Sequence, residues 1–199
     1  MIGKAIGIIF RPQHTWQAVA DLTDSQLRAY ILYPALLAIL PAYAWYYGTT
    51  QVGWTVGASE PTRFTVESAA LIAILFYLAQ VLAIWAVGYF VHWMSETYGA
   101  RSSVTRGLAI AGLCATPILL SGLFGFYPMF WLDFFVGLVT VSYAVYLLYL
   151  GIPIVMRIPE ERGFLFASAV VAVGLVMAIV IMGATVILWD LGYTPSFTD

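Results

Sequence analysis

His92 and Glu96 lie four positions apart, so on a helix they share one face. That spacing offers two metal ligands. A structural or catalytic site needs at least one or two more, and nothing nearby clearly supplies them. His14, the other histidine, would have to fold back to help. The pair is read first as interfacial hydrogen-bonding groups and only second as a metal candidate. Gln80 and Asp133 also fall inside otherwise apolar stretches. An amide surrounded by hydrocarbon needs a partner, so Gln80 is expected to hydrogen-bond another helix or to touch a substrate. Asp133 serves as a helix-start acid or, if it faces the interior, as a proton or cation site. No nucleotide loop, nucleophile elbow or paired-cysteine zinc motif is present. The expectation is a protein that is not an enzyme and holds no cofactor.

The densest charge lies in "YLLYLGIPIVMRIPEERG", residues 146–163, where Arg157, Glu160, Glu161 and Arg162 follow a long apolar run. Charge is scarce elsewhere: 9% of the 199 residues are charged and 62% are hydrophobic. A soluble domain carries about 25% charged residues. This composition fits an integral membrane protein, with no basic tract for nucleic acid. The one cysteine, Cys114, sits in an apolar stretch and reads as a packing residue. The first residues do not form a cleavable signal, because Arg11-Pro12 interrupts a short apolar run.

Crossing a bilayer takes roughly 20 apolar residues per helix. Five stretches qualify, at about 30–47, 66–94, 107–124, 131–150 and 164–189. The alternation of a membrane barrel strand is absent, so the expected fold is an all-α bundle of five transmembrane helices, spanning 29–199. The second stretch would measure ~44 Å as a helix and must tilt or project from the bilayer. Pro34 and Pro41 predict a kink in the first. Small residues at four-residue spacing, Gly107, Ala111 and Ala115 in the third span and Gly174 and Ala178 in the fifth, permit close packing within or between copies.

Every Lys and Arg except Arg63 falls on one side of this topology. The positive-inside rule then places the N-terminus in the cytoplasm and the C-terminus outside. Glu60, Glu67, Asp133, Asp190 and Asp199 lie on the outer side. The Arg157–Arg162 cluster becomes an inner turn, with Gly151 and Pro153 ending one helix and Pro159 opening the next. Glu160 and Glu161 favour the positive end of the new helix. Arg157 and Arg162 can pair with them or with lipid phosphates. Residues 1–28 form a cytoplasmic segment. From Pro12, residues Trp16, Val19, Ala20, Thr23 and Leu27 recur at helical spacing. They predict a short amphipathic helix lying on the inner leaflet, or a partner-binding arm.

Two segments resemble a known family. "FRPQHTWQAVADL" resembles the Pro-x-x-x-Trp opening of the Yip (Ypt/Rab-interacting protein) family, and "YAVYLLYLGIPIVMRIPEERGF" resembles the fourth-to-fifth span junction of its bacterial inner-membrane branch. The resemblance covers nearly the whole chain and implies five spans with a cytoplasmic N-terminus. For eukaryotic members it implies early secretory membranes, partnership with small Rab-type GTPases and a role in vesicle traffic. Their "DLYGP" type of motif does not occur here.

Together these readings give an inner-membrane protein that acts by binding or membrane organisation. Its working surface would comprise the N-terminal helix with Arg101, Arg106, Arg157, Glu160, Glu161 and Arg162. Its partners would be the bilayer, a cytoplasmic protein and a second copy of the chain. The alternative is a small-solute or ion transporter, with Gln80, Asp133 and Tyr143 facing one wet cavity.

Overall fold

The computed structural model describes residues 2–56 and 60–198; Asp199, one of the expected outer acids, lies outside them. The described chain is helical and carries five helical segments long and apolar enough to cross a membrane: Asp24–Val52, Val66–Tyr98, Val104–Phe126, Phe130–Met156 and Glu160–Asp190. Their main helices are α6 (Val66–Met94), α7 (Val104–Ser121), α8 (Phe130–Met156) and α9 (Glu160–Asp190) in the last four spans. Short polar caps start two of them. Thr65 accepts the Ser68 amide at the head of α6, and Ser103 accepts the Arg106 amide at the head of α7. Gly99, at φ 77°, turns the chain after α6.

The first span is segmented rather than simply kinked. It runs through α3 (Asp24–Leu27), a 3-10 turn (Arg28–Ile31), α4 (Tyr33–Leu37) and α5 (Ile39–Tyr47). Proline supplies no N–H, so breaks near Pro34 and Pro41 release carbonyls that other spans must satisfy. Trp85 of α6 does so, donating its indole N–H to the Ile31 carbonyl at 2.9 Å.

The third span is the hub. Leu108, Ala109, Ile110 and Leu113 are buried, whereas α9 presents Ile179, Met182 and Val186 outward, as a lipid-facing helix must. Close approach explains the glycines. A Cβ on Gly107 would strike the carbonyl oxygen of Gly88, and one on Gly88 would lie 2.8 Å from the Leu108 Cα. Gly107 therefore docks α7 onto α6 at Gly88. Gly174, by contrast, has nothing within 4 Å of a Cβ position. Cys114 is a buried packing residue.

Tyr33 and Thr116 join the first and third spans with a buried hydroxyl pair at 2.8 Å, and the Thr116 hydroxyl donates to the Gly112 carbonyl at 3.2 Å. Tyr33→Phe removes the link while keeping the ring. It is expected to cost about 1 kcal/mol of stability, measured by denaturant titration in detergent.

The N-terminal arm differs from expectation. Pro12 does open a helix, α2 (Pro12–Ala20), but α1 (Ile2–Phe10) precedes it. The two form an antiparallel hairpin: Lys4 near one end of α1 donates to the Ala18 carbonyl at 2.8 Å. Trp16, Val19 and Leu27 are fully buried. Trp16 sits on Gly151 of α8, where a Cβ would come within 2.5 Å of the indole. Tyr143, in the middle of α8, donates its hydroxyl to the Ile9 carbonyl at 2.7 Å. The apolar face of the arm thus packs on the fourth span rather than on the leaflet, and its tip rises to the mid-level of that helix. An amphipathic pattern demands an apolar partner, and here protein supplies it.

That packing also corrects the fourth span's end. α8 continues through Gly151 and Pro153 to Met156 and stops where Arg157 adopts the left-handed conformation, φ 54°. Gly151 makes room for Trp16, and Pro153 packs against Gly163. Pro159 caps α9 instead of entering it, and Glu160 and Glu161 occupy the first turn as expected.

Candidate functional site: a basic cleft at one rim

At the arginine-bearing end, the residues between α2 and α3 lie against the head of α7 and the C-terminal end of α8. Thr23 and Gln26 shape this bend: the Gln26 side chain accepts the Thr23 amide at 3.0 Å. Backbone carbonyls left exposed there become acceptors. Arg106, on the first turn of α7, donates to Leu22 at 3.0 Å and Ala20 at 3.3 Å, and stands 3.8 Å from Asp24. Arg157, at the end of α8, pairs with Asp21 at 3.0 Å and reaches the Ala20 carbonyl at 3.5 Å. A cleft of about 620 Å³ opens between these groups, lined among others by Asp21, Asp24, Arg101, Ser102, Arg106 and Arg157.

The two arginines do different work. Arg106 has only 18% of its side chain exposed, whereas Arg157 and Asp21 are 70% and 77% exposed. An exposed pair contributes about 0–1 kcal/mol and weakens with salt. Charge-assisted hydrogen bonds from a shielded guanidinium contribute about 1.5–3 kcal/mol. Arg106→Ala is therefore expected to destabilise the arm by about 2 kcal/mol, and Arg157→Ala by less than about 1 kcal/mol. Limited proteolysis of the arm at two salt concentrations checks both.

Of the residues singled out in the sequence, Arg101, Arg106 and Arg157 meet at this cleft. Glu160, Glu161 and Arg162 do not line it; the Arg162 guanidinium packs over Gly99. Arg157 pairs with Asp21 across the arm, not with its sequence neighbours. The acids Asp21 and Asp24 and the carbonyls of Ala20 and Leu22 went unassigned in the sequence. Thr-x-x-Gln at 23–26 is the signal that marks the bend carrying them.

The other candidates separate. His92 contacts the Ser102 carbonyl through Nδ1 at 2.7 Å, tying the second span to the cleft's floor. Glu96 lies beyond the end of α6 in a 3-10 turn (Ser95–Tyr98), and among the described residues it forms no ion pair with His92. No group of three metal-binding side chains comes together among the described residues. Gln80 donates to Phe76 of its own helix at 3.3 Å, so the expected bond to another helix is replaced by a local one. Asp133 stands in the first turn of α8 with a buried Oδ2 that makes no hydrogen bond. Tyr143 lines an apolar groove that includes neither Gln80 nor Asp133. The three expected pathway residues do not share a cavity there.

Five apolar helical spans define a polytopic helical membrane protein. The Yip1 domain family model matches residues 6–181, from the α1–α2 hairpin through most of α9. The chain belongs to the Yip1 domain family. Inner membrane protein YohC of Escherichia coli (strain K12) is 34% identical over 187 residues, covering 94% of this chain and 96% of that protein. The protein of the same description from Escherichia coli O6:H1 matches to the same extent. No solved structure matches. The chain is a multi-pass inner-membrane protein of this family.

Proposed function

We propose that the protein works without catalysis, by binding a partner or organising the membrane at its cytoplasmic face. The observation that carries this reading is the cleft, which gathers Arg101, Arg106 and Arg157 from two connections around the clasped N-terminal arm. The positive-inside rule assigns that rim to the cytoplasm. A surface assembled from distant segments, mixed in charge and partly exposed, suits reversible protein recognition better than a solute pathway.

Arg101 is exposed and lines the cleft, so its replacement leaves the arm's clasp intact. Photo-cross-linking from Ser102 in cells should yield a discrete adduct. Arg101→Glu should abolish it while the amount of folded protein is unchanged. Persistence of the same adduct in Arg101→Glu would end the docking reading.

A further inference from the structure

The hairpin's outer side poses a problem that its buried side does not. Arg11, Gln13, His14 and Gln17 are exposed, opposite the face that buries Thr15, Trp16 and Val19. The tip lies level with Tyr143, some 14 residues short of Arg157, or roughly 20 Å along α8. Lipid tails offer these side chains no hydrogen-bond partner, and a cation at that depth needs an anion or water. Among the described residues, the Arg11 side chain has no hydrogen bond or ion pair.

Directly beyond the tip the chemistry changes. A groove of about 320 Å³ opens between α7 and α8, lined by Ile9 of the hairpin, Leu120 of α7, Phe124 in the turn that follows it, and Val136 and Val139 of α8. Ile9 precedes Arg11 by two residues, so the polar track ends where the apolar slot begins. A polar track rising from the rim, a cation at its deep end and a hydrocarbon slot beyond match an amphiphile with an anionic head. A second copy fits less well. Partnering Arg11 would take an acid at mid-depth, but Asp21 and Asp24 sit at the rim and Asp133 near the opposite end of α8.

We propose that the hairpin and groove bind an anionic phospholipid, its phosphate held at Arg11 with help from Gln13 and His14, and one acyl chain in the groove. This site is separate from the rim cleft and does not depend on the docking reading. Native mass spectrometry of the full chain, equilibrated with equal phosphatidylglycerol and phosphatidylcholine, reads it out. Wild type should retain phosphatidylglycerol preferentially. Arg11→Gln should lower that preference about tenfold, the loss of one charge-assisted bond, while Arg11→Lys keeps most of it. Val139→Trp, on the exposed wall of the groove, should reduce retention of both lipids and so tests the slot independently. An unchanged preference in Arg11→Gln would overturn the proposal. So would a preference that vanishes with Arg101→Gln instead, or a dimer that dissociates on Arg11→Gln, which would give the face to a second copy.

Discussion

Trp16→Ala should lower the unfolding free energy by about 3–5 kcal/mol, the range for removing a large buried aromatic. The indole is fully buried, and its contact surface is Gly151, which has no side chain to fill the space left behind. The arm would loosen from α8, exposing the carbonyls that Arg106 now holds. Trp16→Phe should cost much less, because it keeps a ring and removes an indole N–H that is buried without a partner. Denaturant titration in mild detergent measures both. A leaflet-bound arm would give a different result: Trp16→Ala would then weaken membrane association of the arm and leave bundle stability nearly unchanged.

Gly107→Val is expected to be comparably severe, at about 3 kcal/mol or more. The obstructing atoms are backbone: the Gly88 carbonyl oxygen and, at 3.1 Å, the His92 nitrogen. No rotamer change relieves that, so α6 and α7 must separate at the hub of the bundle. The strain would reach the cleft, since His92 contacts Ser102 one turn away. Gly137→Ala is the matched control. It lies on α8 with nothing within 4 Å of a Cβ and should be neutral or slightly stabilising, through better helix propensity. Thermal unfolding of the three proteins side by side orders them.

Both predictions rest on contacts that composition could not reveal, although much else was legible. The stretch from Val66 to Met94 reads directly as a helix, because its 29 residues are mostly apolar and long enough to span. Glu160 and Glu161 read correctly as first-turn acids, since the helix dipole acts locally. Gly151 and Pro153 misled because their reason is tertiary: one admits Trp16, the other packs on Gly163. Trp16, Val19 and Leu27 were legible as one apolar face, yet periodicity does not say whether lipid or protein covers it. The cleft was half legible. Arginines near span ends announce themselves, whereas the carbonyls of Ala20 and Leu22 have no sequence signature, and Asp21 became a partner of Arg157 only through the fold. Gln80 was expected to reach across to another helix, but a local carbonyl at Phe76 was nearer.

The sidedness of the cleft carries the functional reading. In a Cys114→Ala background, single cysteines at Arg101 and Glu60 can be labelled with a membrane-impermeant maleimide in spheroplasts and in inverted vesicles. The expected result is labelling at Glu60→Cys only in spheroplasts and at Arg101→Cys only in inverted vesicles. Labelling of Arg101→Cys in spheroplasts, or of both positions from one side, would contradict a cytoplasmic cleft on a five-span protein.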